Sequence, residues 1–310
     1  MCCLFGIIDY GNSLSIKKKE RIIKVLSKEC EERGTDATGI AYIHNGNMCV
    51  HKSPLPAHKM KFKFTSNPSV IMGHTRMTTQ GSEKNNINNH PFYSKKIGFA
   101  LAHNGVLYND KILRKSEKLP STKIETDSYI AVQLIEKTNV LDFDSIKCMS
   151  EKVEGSFCFT LLSKENELYI VKGSNPMAIA QFNGFYVYAS TTNILMRALK
   201  KLRLMKFKNV KIEDGDIFKF DLQGYIHKSH FDFEDDYIPY YNYLYSPTRT
   251  HNSQDVWDEY EQDLLYYAKS IGVDEDVIIE LLEDGYDYTD IEDMLYEFDI
   301  NTNAPTALHT

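Results

Sequence analysis

Hydrophobic and polar positions along the first 230 residues follow two different periods. Residues 3–9 form a short apolar run typical of a buried strand, and residues 16–30 space their apolar side chains among charges as an amphipathic helix does. The rest of this region contains further runs of both kinds. Strands are predicted at 39–44, 47–51, 69–75, 97–102, 155–162, 167–172, 177–182, 185–190, 209–213 and 216–221. Helices are predicted at 125–137, 142–152 and 192–202.

Turn residues separate several of the predicted strands. Asn45-Gly46 and Asn183-Gly184 are Asn-Gly pairs, which are strong signals for a tight β-hairpin. Strands come in groups interrupted by clusters of helices, whereas a parallel sheet would alternate strand and helix regularly. The pattern therefore predicts an α+β fold of stacked sheets with helices outside.

The composition changes after residue 231. A Tyr- and acid-rich stretch at 232–253 is interpreted as a linker, and helical patterns at 254–270, 274–284 and 288–298 indicate a small acidic helical tail. Gly285 is expected just after the second of these helices and Thr289 as the N-cap of the third. We therefore expect a domain at 2–231, a linker at 232–253 and a tail module at 254–310.

Charge is divided unevenly between these parts. Residues 231–310 hold 21 acidic and 2 basic residues, whereas residues 1–230 hold 22 acidic and 34 basic residues. The two parts therefore either attract each other or select different partners. The lysines lack the interleaved glycine and aromatic residues of nucleic-acid-binding segments, so we expect no binding to nucleic acid.

The remaining bulk properties exclude several classes of protein. No run approaches the roughly 18 consecutive apolar residues of a membrane span, and the apolar start is too short for a signal peptide. Six cysteines with no Cys-x-x-Cys pair indicate reduced thiols, with neither a disulfide framework nor a zinc site. We expect a cytoplasmic protein without a metal or cofactor.

The first residues carry the sharpest chemical signal. Cys2 follows Met1, and methionine is commonly removed when the next side chain is small. Removal would leave a thiol beside a free α-amine, which titrates near ~7.7–8.0 and can act as a base for that thiol. A cysteine at this position is weak evidence alone, so its interpretation depends on the other motifs in the chain.

Those motifs occur in a fixed order. Their segments are 33–40 (RGTDATGI), 73–81 (GHTRMTTQG), 89–92 (NHPF), 102–105 (AHNG) and 125–127 (ETD). With Cys2 at the start, the ordered set resembles the class II glutamine amidotransferases, such as the glutaminase domains of glucosamine-phosphate synthase and amidophosphoribosyltransferase. The resemblance covers about residues 2–200. It implies the four-layer αββα sandwich of the N-terminal-nucleophile hydrolases.

The resemblance also implies roles for individual residues. Cys2 would attack the side-chain amide of glutamine, and the Asn104 side chain with the Gly105 backbone N–H would form the oxyanion hole. Arg76 would hold the α-carboxylate of the substrate and Asp127 its α-ammonium. A guanidinium matches a carboxylate bidentately, and two donors aimed at an oxyanion lower the barrier. Thr79 and His90 match family positions that line the substrate pocket and are expected to bind substrate. Arg33 and Asp36 are expected to brace the loop behind the nucleophile.

More ordinary roles stay open for several of these residues. Asp127 could be the N-cap of a helix at 128–137, and Gly105 could serve only the turn. The chain also departs from the family. Cys3 replaces the usual glycine after the nucleophile and is expected to pack, while Met77 and Gln80 stand where synthases often have Trp and His.

Three functions are compatible with the sequence. The first is hydrolysis of glutamine to glutamate and ammonia, with the ammonia released or passed to a synthase on a separate chain, because the roughly 80 residues after the domain are too few for the acceptor units of the family. The second is hydrolysis of γ-glutamyl or other amides by a related N-terminal-nucleophile hydrolase. The third is a non-catalytic binding module. The acidic tail could dock a partner protein or the basic domain.

Overall fold

The computed structural model describes residues 2–232 and, beyond them, residues 268, 273, 274, 276–278, 281, 291, 294 and 295. The chain divides into two compact units, Met1–Tyr237 and Ile238–Thr310. The division falls inside the stretch interpreted as a linker. The exact limits of the domain, linker and tail stay predictions.

The first unit contains two antiparallel sheets. The seven strands of the first sheet are β1 (Cys3–Ile8), β2 (Ala37–His44), β3 (Asn47–Ser53), β4 (Val70–Arg76), β9 (Ala178–Phe182), β10 (Phe185–Ala189) and β11 (Lys208–Val210). Their order is β11-β9-β10-β1-β4-β2-β3. The N-terminal strand β1 is therefore central and fully buried.

The second sheet has six strands. They are β5 (Phe92–Ser94), β6 (Phe99–Leu107), β7 (Gly155–Ser163), β8 (Leu168–Lys172), β12 (Asp216–Phe220) and β13 (Ile226–His230). Their order is β13-β12-β8-β7-β6-β5, and each neighbouring pair is antiparallel.

Within residues 2–232, five α-helices cover the outer faces of the two sheets. They are α1 (Ile16–Glu29), α2 (Asp110–Ser116), α3 (Tyr129–Thr138), α4 (Phe143–Ser150) and α5 (Thr192–Leu202). One core lies between the first sheet and helices α1 and α5, and another lies between the second sheet and helices α2, α3 and α4. A third core fills the space between the sheets. This arrangement is the four-layer αββα sandwich, so the predicted fold class is confirmed.

Local sequence explains where the elements start and turn. Ser15 and Thr191 cap α1 and α5 through their hydroxyls, and Asp142 forms a capping box with Ser145 at α4. Residues 45–46 connect β2 to β3 with positive φ at both positions, as an Asn-Gly hairpin requires.

The main predicted elements are present, with differences at short elements and at ends. The sequence patterns did not predict β5, β13 or α2, which are three, five and seven residues long. Strand β6 extends to Leu107, beyond the predicted end at residue 102. Helix α3 begins at Tyr129 instead of residue 125, because Asp127 directs its carboxylate to the backbone of β6.

The second unit is described at few positions. Residues 268, 276–278, 281, 291, 294 and 295 are helical, and each lies within one of the three helical patterns of the sequence. Ala268, Ile278, Ile291 and Leu295 are buried together. Residues 233–253, Gly285 and Thr289 lie outside the described residues. Within the described part of the chain, no helix has the length and apolar character needed to cross a bilayer.

Candidate active site

A cleft forms where β1, β4 and β6 bring their functional residues together. Strand β1 pairs with β4, with Cys3 opposite Thr75, so residue 2 lies beside residue 76. The cleft is narrow and partly open to solvent. Its lining residues are Cys2, Arg76, Met77, Thr79, Gln80, His90, His103, Gly105, Thr126, Asp127 and Ser128.

Cys2 is half-buried at the edge of this cleft. Its Sγ lies 3.5 Å from the Met77 carbonyl oxygen, and its own carbonyl oxygen accepts a hydrogen bond of 3.1 Å from Arg33 Nε. Burial raises the pKa of the Cys2 thiol above its ordinary value, while the Met77 carbonyl contact and the nearby Arg76 charge act in the opposite direction. At neutral pH the thiol therefore needs a base to become a nucleophile.

Arg76 ends β4 and holds the following segment. Its Nη2 donates to the carbonyl oxygens of Gln80 and Gly81 at 2.6 and 2.9 Å, and its Nη1 donates to Asn89 Oδ1 at 2.7 Å. The side chain is buried, so these bonds fix the guanidinium beside the cleft.

Residues 33–36 support this segment from behind. The Asp36 carboxylate accepts a hydrogen bond of 2.7 Å from Thr78 N, and Asp36 N donates to the Arg76 carbonyl oxygen. At Gly34, an added Cβ would lie 2.4 Å from the Arg76 backbone, so this close approach requires a glycine. Arg33 therefore braces Cys2, and Asp36 braces the segment after Arg76.

Asn104 and Gly105 lie together in β6. The Asn104 side chain is completely buried, and neither its Nδ2 nor its Oδ1 has a hydrogen-bond partner among the described residues. Its backbone is fixed, because the Asn104 carbonyl oxygen accepts from Asn175 Nδ2 at 3.0 Å. Leaving a buried amide unpaired is costly, and the Asn104 Nδ2 donor remains available.

Asp127 precedes α3 and is held by two contacts. Its Oδ2 accepts a hydrogen bond of 2.7 Å from Leu107 N, and its Oδ1 accepts one of 3.1 Å from Ser128 Oγ. The N-cap of α3 is Ser128, so the alternative role of Asp127 as the N-cap is wrong. Ser128 Oγ also lies 2.8 Å from His103 Nδ1. The Asp127 carboxylate is thus fixed at the cleft by Ser128, which in turn contacts His103.

Three histidines are buried next to the cleft. The His90 ring lies between those of His74 and Phe92, at centroid distances of 4.3 and 4.4 Å. His74 Nε2 donates to the His103 carbonyl oxygen at 2.9 Å. Burial lowers the pKa of all three, to about 3 for His74, so they are neutral at pH 7.

Most of the residues expected from the sequence converge on the cleft. Six of the seven expected catalytic and substrate-binding residues line it, and the seventh, Asn104, is adjacent in β6. Ser128, Asn89 and Leu107 had no expected role, although they hold Asp127 and Arg76. Asn89 begins the 89–92 motif and Ser128 directly follows the Glu-Thr-Asp segment, whereas Leu107 had no sequence signal. Across the described residues, no group of three or more His, Cys, Asp or Glu side chains could hold a metal ion.

Comparison with known proteins gives the family. The sequence profile of the glutamine amidotransferase domain matches residues 74–197. The glutamine–fructose-6-phosphate aminotransferase [isomerizing] of Staphylococcus aureus is 30% identical over 244 residues, which cover 73% of this chain and 39% of that protein. The chain belongs to the class II glutamine amidotransferases.

Other relatives agree with this family. The Bacillus cereus enzyme of the same name is 30% identical over 233 residues, covering 72% of this chain and 38% of its own length. The chain thus spans about two fifths of the length of these curated relatives.

Two solved structures show the same fold. The glutamine phosphoribosylpyrophosphate amidotransferase from B. subtilis superposes with a TM-score of 0.59 at 20% identity, over 75% of this chain and 50% of that one. A structure described as the allosteric regulatory enzyme of purine biosynthesis superposes with a TM-score of 0.61 at 20% identity. The match covers 88% of this chain and 59% of that one. At this identity the comparison supports the fold alone.

Proposed function

We propose that the 2–231 domain hydrolyses the side-chain amide of glutamine, with Cys2 as its nucleophile once Met1 is removed. The observation that carries the proposal is the convergence of a thiol, a buried guanidinium and a fixed carboxylate on one small cleft. A carboxylate and a guanidinium together match the α-ammonium and α-carboxylate of an amino acid. This pair would exclude simple amides, which lack both charges.

The binding role of Arg76 is compatible with its other contacts. Among the described residues three of its five N–H groups donate to Asn89, Gln80 and Gly81. The remaining Nε–H and one N–H of Nη1 lie on different edges of the guanidinium, so a substrate carboxylate would accept a single hydrogen bond from either of them. Asp127 would bind the α-ammonium. Thr79 and His90 would shape the pocket around the substrate, His90 through its neutral, buried ring.

The chemical steps follow from the neighbours of Cys2. The α-amine of a mature N-terminus would take the thiol proton, which the raised pKa of Cys2 makes necessary. The sulfur would attack the amide carbon, and Asn104 Nδ2 and Gly105 N–H would stabilise the oxyanion. The protonated α-amine would give this proton to the amide nitrogen, which would leave as ammonia, and water activated by the freed α-amine would hydrolyse the thioester to glutamate.

The fate of the ammonia belongs to the same proposal. The curated relatives are glutamine–fructose-6-phosphate aminotransferases, but this chain covers about two fifths of their length. We propose that the ammonia passes to an acceptor enzyme on a separate chain or is released. The acidic residues after the domain would offer a docking segment for a basic partner.

The proposal is tested by labelling with a diazo-ketone analogue of glutamine. Intact mass and peptide mapping should show loss of Met1 and a single adduct on Cys2, and Cys2→Ala should give neither adduct nor ammonia release. Excess glutamine should protect Cys2, whereas a γ-glutamyl amide should protect it much less. A processed protein that forms no adduct and releases no ammonia would show that the domain is not a glutaminase.

A further inference from the structure

Two cysteines with no assigned role lie side by side behind the nucleophile. Cys3 begins β1, and Cys30 follows the last residue of α1. Their sulfur atoms are 2.8 Å apart, and both side chains are fully buried in the core between α1 and the first sheet. Successive residues of an extended strand point to opposite faces, so Cys2 lines the cleft while Cys3 enters this core.

The backbone on both sides of the thiol pair is fixed. Thr75, which pairs with Cys3 in the sheet, donates its hydroxyl to the Cys30 carbonyl oxygen at 3.0 Å. Leu4 N, next to Cys3, donates to Ser190 Oγ at 2.8 Å. The two sulfurs are therefore held face to face by contacts that do not depend on the thiols themselves.

The surroundings make the two thiols chemically unequal. Burial opposes ionisation of Cys3, but the hydrogen bond with Cys30, the charge of Arg33 and Ser190 together lower its pKa. Burial and the neighbouring Cys3 raise the pKa of Cys30. Of the two thiols, Cys3 therefore ionises first, and the Cys30 sulfur lies 2.8 Å from it.

We propose that Cys3 and Cys30 form a redox modification site that a hydroperoxide converts to a disulfide within the folded domain. Cys3 would attack the peroxide, forming a sulfenic acid and releasing water. The Cys30 sulfur would then displace the second water and form the S–S bond. In total, two thiols are oxidised and one hydrogen peroxide is reduced to two waters.

The disulfide would close with little rearrangement and would join two parts of the site. The sulfurs need to approach by less than about 1 Å to reach the bond length of roughly 2.05 Å. The bond would link β1, which continues from the nucleophile, to the segment that carries Arg33, the donor to the Cys2 carbonyl oxygen. Oxidation would therefore lock the support of Cys2 in place.

The test uses full-length Cys2→Ala protein, because the half-buried Cys2 thiol would otherwise compete for the oxidant. Folded protein is treated with hydrogen peroxide, denatured, alkylated and mapped by mass spectrometry. We expect a mass loss of about 2 Da, a peptide linking Cys3 to Cys30, and reversal by dithiothreitol. The oxidised protein should also melt about 5–10 °C higher, since the bond closes a loop of 27 residues.

The controls separate this pair from the other thiols. Cys3→Ser and Cys30→Ser in the same background should each lose the cross-link, while Cys158→Ser, which removes a single buried thiol from a different core, should keep it. Peptide mapping of the Cys2→Ala protein also tests the proposal without any further substitution. If Cys3 and Cys30 still alkylate fully at a peroxide dose that oxidises the exposed Cys148, or if Cys3 advances to sulfinic acid without a cross-link, the proposal is wrong.

Discussion

Gly105 is the position where backbone conformation most tightly constrains the cleft. Its φ is +138°, and an added Cβ would lie 1.9 Å from the Ser156 carbonyl oxygen of the neighbouring strand β7. A side chain would force the β6 backbone away from β7 and turn the 105 N–H from its present direction. Glycine is therefore required here by geometry, independently of any chemistry.

Gly105→Ala is expected to lose about 100-fold or more in kcat for glutamine hydrolysis, because one oxyanion donor is displaced. Gly224→Ala is the matched control. Gly224 has φ +88°, and an added Cβ would lie 2.5 Å from the Tyr10 ring, but it does not line the cleft. Both variants should lose roughly 2–4 kcal/mol of stability in urea unfolding, and only the first should lose kcat per folded molecule. Equal losses of kcat would argue against an oxyanion role for Gly105.

Asp127 allows a test of charge without a change of shape. Asp127→Asn keeps an oxygen for the hydrogen bond from Leu107 N but removes the negative charge. We expect KM for glutamine to rise about 10–100-fold with a smaller change in kcat, because a charge-assisted contact to the α-ammonium is lost. Steady-state kinetics measure the split, and Asp144→Asn, a change of an exposed carboxylate on α4, should leave KM within about twofold. A KM unchanged in Asp127→Asn would mean that this carboxylate does not contact the substrate.

At the scale of elements, the connection between β1 and α1 depends on one buried ion pair. Asp9 Oδ2 lies 2.8 Å from Lys19 Nζ, and both side chains are almost completely buried. Asp9 also accepts from the backbone N–H groups of Ser13 and Leu14, and Lys19 donates to the Pro68 carbonyl oxygen. The pair thus fixes the start of α1 against the central strand.

Removing one member of this pair leaves the other charge buried without its partner. Asp9→Asn is expected to cost about 3 kcal/mol or more in unfolding free energy, measured by urea denaturation. Glu213→Gln is the control, because its ion pair with Lys211 is exposed and its loss should change stability little. If both variants unfold at the same urea concentration as the parent, the buried pair does not hold α1.

At the scale of the whole molecule, neutral histidines are packed beside the space between the two sheets. Burial holds the pKa of His74 at about 3 and that of His90 well below its ordinary value. Their folded pKa values lie below the unfolded value of about 6.5, so the unfolded chain binds more protons as the pH falls. The stability that is fully present above about pH 6.5 is therefore lost as the pH falls toward 3.

Urea unfolding between pH 7.5 and about pH 4.5 should show this loss, with a slope of up to about 1.4 kcal/mol per pH unit for each such histidine. His90→Gln removes one titrating ring, so its stability should fall less steeply with decreasing pH. Above pH 7 the unfolding free energies of the parent and the variant should change with pH in the same way, which serves as the internal control. Parallel curves at low pH as well would show that His90 is protonated in the folded protein.

Much of this molecule was predictable from local sequence patterns. Apolar runs and their spacing predicted β1, α1, the Asn-Gly hairpins and the α+β class, because each depends on neighbouring residues. The ordered motifs predicted that Cys2, Arg76, Gly105 and Asp127 belong to one site, and the structure brings these four to one cleft. Their catalytic and binding roles stay predictions until they are measured.

Tertiary structure alone decided the contacts between residues that lie far apart in the chain. The sequence does not show that Leu107 N donates a hydrogen bond to the Asp127 carboxylate or that Arg76 donates one to Asn89. Nor does it show that the sulfur atoms of Cys3 and Cys30 lie in contact. Strands as short as β5 are stabilised by the strand beside them and carry too few residues to show a period of their own. Local patterns determine which elements form, whereas pairing and packing determine which side chains meet, because those energies arise only between elements brought together by the fold.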